Sequence, residues 1–155
     1  MSANDQQGPG NAQSFIVKGQ YIKDLSFENP HAPQSLMNFN LKPTIDVNVD
    51  IKAQKLQDGV YEMTLHIATK AIVESNPLFL VDLAYCGIFQ LTNIPEDRIE
   101  PIILIDCPFV LFPFARRVIA DVTRDGGFPP LMLDPIDFHA LYLQNRAGAP
   151  AAAAS

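Results

Sequence analysis

The sequence predicts an α+β fold, a four-stranded antiparallel sheet with two C-terminal helices packed on it. Three observations carry the prediction. Three stretches in the first two-thirds of the chain follow a period of two, and a fourth is apolar on both faces. The last third switches to helical spacing. Strands come first and helices after, the order that goes with an antiparallel sheet rather than with βαβ crossovers. A chain of 155 residues is one domain long, and can bury about 70% of the surface its unfolded form exposes.

The elements follow in order. Residues 1–13 are rich in Ser, Asn, Gln and Gly and read as a disordered leader. From Ser14 to Glu28 the odd positions Phe15, Val17, Tyr21, Leu25 and Phe27 are apolar, and the even positions carry Lys18, Gln20, Asp24, Ser26 and Glu28. That gives one apolar face and one wet face. Ile45, Val47, Val49 and Ile51 then alternate with Asp46, Asn48, Asp50 and Lys52. Asp58-Gly59 is a turn signal, and Tyr61, Met63, Leu65 and Ile67 alternate with Glu62, Thr64 and His66, so the pair is a hairpin. After Ser75-Asn76-Pro77 the alternation fades. Leu78, Leu80, Ala84 and Cys86 lie on one face and Phe79, Val81, Leu83 and Tyr85 on the other, with only Asp82 interrupting. A strand that is apolar on both faces needs a cover on each. The helices supply one cover, and a second copy of the chain is expected to supply the other, making a homo-oligomer.

Leu111, Ala115, Val118, Ile119 and Val122 form a helical face, stopped at Gly126-Gly127, with Pro113 expected in or near its first turn. Asp134 is the expected N-cap of the second helix, with Pro135 at its first position, and the helix runs through Phe138, Leu141 and Tyr142 to about Arg146. Residues 147–155 are Ala-rich but interrupted by Gly148 and Pro150, and read as a mobile tail. The domain is therefore expected over residues 14–146.

Composition narrows the function. Lys plus Arg is 11 and Asp plus Glu is 17, a net charge of −6. That balance lacks the basic footprint of a nucleic-acid binder and favours basic partners. Cys86 and Cys107 are too few for a disulfide framework. The N-terminus has no signal-peptide pattern and no apolar run reaches the roughly 18 residues of a membrane span, so a cytoplasmic protein without direct membrane insertion is expected.

A search for chemistry returns no active site, and the protein is read as a non-enzyme without cofactor or metal. His31, His66 and His139 have no metal-ligand spacing. Cys107 precedes a helix, but no nucleophile signature surrounds it, and a buried inert thiol is the expectation. Asp46 and Asp50 read as a solvated strand face. What remains is apolar surface. Met37, Phe39 and Leu41 lie in the long connection 29–43, and Phe109, Phe112 and Phe114 surround the start of the first helix. Loops rich in such residues cover something or bind something.

Four segments resemble a known family. The segment Tyr21-Ile22-Lys23-Asp24-Leu25-Ser26-Phe27-Glu28-Asn29-Pro30-His31-Ala32-Pro33 resembles the first-strand signature of SecB, the bacterial protein-export chaperone. Gly87-Ile88-Phe89, after the fourth strand, is similar too. So are Cys107-Pro108-Phe109-Val110-Leu111-Phe112-Pro113-Phe114-Ala115-Arg116 and Gly127-Phe128-Pro129-Pro130-Leu131-Met132-Leu133-Asp134-Pro135-Ile136-Asp137-Phe138. The four occur in order and cover nearly everything except the tails.

The resemblance implies a homotetramer, assembled as a dimer of dimers, that holds unfolded preproteins without ATP and delivers them to the SecA translocation ATPase. It implies a SecA-binding site at Asp24, Glu28, Leu80 and Asp82. Asp24 and Glu28 lie four apart on one strand face, about 13 Å at ~3.3 Å per residue. It also implies a client groove between the long connection and the helices, where Met37, Phe39, Leu41, Phe112, Phe114, Phe138 and Tyr142 are expected to line or border it. Two rival readings are a SecB-like chaperone dedicated to a toxin–antitoxin system and a carrier of small apolar ligands.

Overall fold

The computed structural model describes residues 12–37 and 42–152, the last six by their backbone alone. Four strands, β1 (Ser14–Glu28), β2 (Thr44–Gln57), β3 (Val60–Val73) and β4 (Asn76–Thr92), form one antiparallel sheet in the order β1-β4-β3-β2. Local turns set most of that order. β2 and β3 meet at Asp58-Gly59, where Gly59 has φ +75 and its carbonyl accepts from the Leu91 N–H at 2.7 Å. A Cβ on Gly59 would stand 2.8 Å from the Leu91 carbonyl oxygen, so the turn needs glycine for its dihedral and for its space. β3 and β4 meet at Glu74 and Ser75, both with positive φ, as a tight hairpin turn of matching twist requires. β1 and β2 end on opposite edges, so the connection between them crosses the width of the sheet. Within it, Gln34–Leu36 forms a single 3-10 turn.

The odd-numbered side chains of β3 and β4 build the core. Met63, Leu65, Ile67, Phe79, Val81, Leu83 and Phe89 are buried against one layer of helix. That layer begins earlier than the sequence suggests. Helix α1 (Glu96–Pro101) runs into one wide π-helical turn at Ile102–Asp106 and then into α2 (Cys107–Asp125). Prolines at 101 and 108 flank the wide turn, a usual cause of such irregularity. Pro113 therefore sits inside α2 and not in its first turn. The carbonyl that it leaves without a donor belongs to Phe109, which is 70% exposed, so water can satisfy it. Cys107, Leu111, Ala115 and Ile119 present the buried stripe of α2 to the sheet.

Helix α3 (Phe138–Ala152) is capped by Asp137, not by Asp134: Asp137 Oδ1 accepts from the Ala140 N–H at 2.9 Å. Either aspartate could cap by residue type, but residues 129–137 carry no regular structure, so Asp134 lies ahead of the helix. The backbone of α3 also runs past Arg146, where a mobile tail was expected, through Gly148 and Pro150. Alanine's helix propensity carries it, and the carbonyl that Pro150 leaves unpaired belongs to exposed Arg146. Of the expected leader, residues 1–11 lie outside the described residues.

β1 departs from its sequence pattern in one instructive way. Its pairing with β4 slips at Lys18 and again at Lys23. Each slip is a bulge that turns the following residues to the opposite face. Val17 opposes Phe89 on the helix side, but Tyr21 opposes Cys86 on the outer side. The apolar face read from the odd positions therefore loses Tyr21. The second bulge restores the rest, and Leu25 and Phe27 again face the helices opposite Leu83 and Val81.

Candidate functional site

Side chains directly opposite in an antiparallel pair share a face, so the register gives the outer face of the sheet as rows. One row reads Tyr21–Cys86–Thr64–Lys52 across β1, β4, β3 and β2. The next reads Asp24–Ala84–His66–Asp50, then Ser26–Asp82–Ala68–Asn48, then Glu28–Leu80–Lys70–Asp46. Asp24, Glu28, Leu80 and Asp82 therefore occupy three successive rows on two adjacent strands, on the face away from the helices. The three carboxylates are exposed and Leu80 is half-buried among them. Asp46 and Asp50 belong to this same face, which extends its acidity to the far edge of the sheet.

Interactions within the face fix several of these groups. The Tyr21 hydroxyl donates to Glu62 Oε2, and Lys23 Nζ lies 3.1 Å from Glu62 Oε1. Lys23 is a bulge residue, and the bulge is what brings its ammonium to β3. The bond from Tyr21, with Lys23 adding to it, holds the Glu62 carboxyl below the usual glutamate range. Partial burial, reinforced by Glu62, pushes the Tyr21 phenol up. His66 Nε2 lies 2.6 Å from Asp82 Oδ1. By alternation His66 falls on the wet face of its strand, but its partner is on another strand and only the register reveals the pair.

The opposite side of the sheet carries a cavity of about 350 Å³ at the end where β1 stops and β4 begins. Leu36, Pro43, Ile45, Leu78, Phe79, Phe128 and Leu131 line it, with Ser35, Gly127, Pro129 and Pro130. A bulge between β3 and β4 leaves Leu78 without a partner beside Phe79, which explains why both line the same hollow. The walls are tied together. Asn29 Nδ2 donates to the Gly126 carbonyl at 3.3 Å, and Ser35 Oγ donates to Asn29 Oδ1 at 2.9 Å. Thr123 Oγ1, fully buried, accepts from the Leu131 N–H at 2.9 Å and donates back to the Ile119 carbonyl. The rings contact in series, Phe27 stacked on Phe79 at 6.1 Å and Phe79 tilted against Phe128 at 4.9 Å between centroids.

The residues expected at a groove are distributed differently. Phe112, Phe138 and Tyr142 are buried in the core, Phe112 and Phe138 edge to face at 6.0 Å. A helical face built of aromatics reads the same from sequence whether it meets a core or a ligand. Met37, 75% exposed, follows the cavity wall residue Leu36, and Phe114 is exposed on α2. Phe39 and Leu41 lie outside the described residues. The lining residues that sequence reading missed, Phe128 to Leu131, sit in one of the family-like segments, and that was the available signal.

Cys107 is buried, and burial, reinforced by Asp106, pushes its thiol well above the usual range, as suits an inert core cysteine. Among the described residues no cluster of His, Cys, Asp and Glu could hold a metal ion, and no helix is long and apolar enough to cross a membrane.

Comparison with known proteins identifies the family. The family model described as preprotein translocase subunit SecB matches residues 8–149. A protein-export protein SecB of Parvibaculum lavamentivorans is 48% identical over 98% of this chain and 94% of its own length. One from Rhodopseudomonas palustris is 51% identical over 86% of this chain and 85% of its own. Among solved structures, a SecB-like chaperone of Mycobacterium tuberculosis in complex with an antitoxin peptide superposes with a TM-score of 0.67, covering 79% of this chain and 90% of that one, at 13% identity. That likeness speaks for the fold, and the matched length and identity of the export proteins speak for kinship: the chain belongs to the SecB family.

Proposed function

We propose that this chain is an ATP-independent holdase that keeps preproteins unfolded in the cytosol and passes them to the SecA translocation ATPase. One observation carries the reading: β4 separates two surfaces with opposite chemistry. Phe79 and Val81 point to the cavity and core, while Leu80 and Asp82 point out among Asp24 and Glu28. An apolar hollow binds unfolded segments of many sequences, because burial at about 25 cal/mol per Å² needs no specific match. Met37, Phe39 and Leu41, from the connection after β1, are further client contacts. A flat acidic face suits a small basic segment, and Asp24, Glu28, Leu80 and Asp82 are its SecA contacts.

The assembly is a homotetramer, a dimer of dimers. Its support is unpartnered apolar surface: Ile16, Ile22 and Leu25 are exposed on edge strand β1, and Phe109 and Phe114 on α2. The chain performs no catalytic step. The relatives at about half identity are export proteins, which favours export over a dedicated antitoxin chaperone. A pull-down that returned one dominant small partner instead of many preproteins and SecA would reverse that preference.

The test is charge reversal. Asp24→Lys, alone or with Glu28→Lys, is expected to keep the tetramer and client binding but lose SecA docking. Wild-type docking should weaken with added salt, since exposed charges are screened within about 10 Å at 0.1 M. Unchanged SecA affinity of the reversed protein at low salt refutes the site.

A further inference from the structure

His66 occupies the middle of the acidic face. Its row is Asp24–Ala84–His66–Asp50, and its imidazole reaches into the next row to Asp82 at 2.6 Å. Charged groups surround it from every neighbouring strand. Asp82 comes from β4, and Asp50 lies directly opposite on β2 with Lys52 diagonal to it. Asp24 stands one strand beyond Ala84, and Glu62 and Lys70 lie four residues to either side on β3. The carboxylate has no proton to give, so Nε2–H donates and Asp82 accepts. The side chains of both are partly open to solvent, 37% and 51%.

In that geometry the proton count of one imidazole sets the charge of the pair. A neutral ring leaves Asp82 its full negative charge. An imidazolium makes an ion pair and cancels that charge. Imidazole is the side chain that changes charge between about pH 5 and 8.

Resting on the docking-face reading above, we propose that His66 is a positioning residue of that face. It orients the Asp82 carboxylate toward the partner, and by taking up a proton it withdraws that carboxylate from a basic ligand. Acidification therefore weakens docking, and does so from within the chaperone. The groove lies on the other side of the sheet and is left unaffected.

The experiment compares wild type, His66→Gln, His66→Lys and Asp24→Lys as full chains, titrated with purified SecA at constant ionic strength from about pH 8 to about pH 5.5. Glutamine keeps a donor for Asp82 but cannot charge, and lysine carries the charge throughout. Wild type should lose about three-fold more affinity than His66→Gln on acidification, the size of one exposed ion pair. His66→Lys should sit near the acid value at every pH. Equal pH slopes for wild type and His66→Gln, with Asp24→Lys still unable to dock, overturn the role of His66 alone. If Asp24→Lys docks like wild type, the docking face itself is misplaced and the role of His66 falls with it.

Discussion

Gly126→Ala isolates how the cavity wall is held. Gly126 has φ −76, so alanine is allowed there, and on backbone grounds alone the change would stabilise by about 0.4–1 kcal/mol. Space decides otherwise. A Cβ at Gly126 would stand 2.2 Å from Phe27 Cζ and 2.5 Å from Cε1. The Phe27 ring cannot simply retreat, because it stacks on Phe79, which packs tilted against Phe128, and those last two rings line the cavity. Overpacking of this kind costs about 1–3 kcal/mol, so the net expectation is a loss of about 1–2 kcal/mol. Urea unfolding at fixed protein concentration should show a lower midpoint at unchanged slope. Affinity for an unfolded client should fall in parallel as Phe79 and Phe128 are displaced. Phe27→Leu removes the clashing edge, and the double variant should be at least about 1 kcal/mol more stable than the two separate losses predict. Stability at or above wild type for Gly126→Ala, or strictly additive losses, refutes the steric argument.

Two further expectations concern the two faces separately. Leu36→Asp places a charge on the cavity wall at a half-buried position, and client affinity should drop about ten-fold, the loss of roughly half the value of a buried leucine side chain. Unfolding should change little, and unchanged client affinity in a binding titration removes Leu36 from the groove. Glu62→Gln tests the Tyr21–Glu62–Lys23 cluster by its pH dependence. The Glu62 carboxyl is depressed in the folded state, so its contribution is present above the unfolded glutamate value of about 4.3 and is lost as pH falls through the lower folded value. The stability gap between wild type and Glu62→Gln should therefore be widest near neutral pH and close in acid. A gap independent of pH in unfolding experiments contradicts it.

Much of the sheet was legible because a period of two is a direct physical signal. Ile45 to Ile51 and Tyr61 to Ile67 alternate cleanly, and Asp58-Gly59 is where the hairpin turns. The helix from Glu96 was not legible, because Pro95, Pro101, Pro108 and Pro113 punctuate it, and each ordinarily argues for an end. Packing on the sheet and a single wide turn override that local preference. For the surfaces, sequence spacing placed Asp24 and Glu28 on one side of β1, but membership of Leu80, Asp82, His66 and Asp50 in the same face depends on inter-strand register. Burial of Phe112, Phe138 and Tyr142 depends on tertiary contact, which an aromatic spacing pattern does not encode.

The two bulges of β1 make the strand behave like a message with two frame shifts. Each inserted residue inverts the parity of everything after it, and the second cancels the first. Asp24, Ser26 and Glu28 keep the parity of Ile16 only because two insertions lie between them and it. The inserted residues are the slack in the strand: without Lys23, Ile22 still opposes Tyr85 and Asp24 still opposes Ala84, so the acidic trio keeps its face. Deleting a paired residue has no such slack. Loss of Leu25, with the pairing before it kept, would set Ser26 against Leu83 and turn Ser26 and Glu28 toward the helices. Two deletions two residues apart in this strand thus belong to different orders of risk.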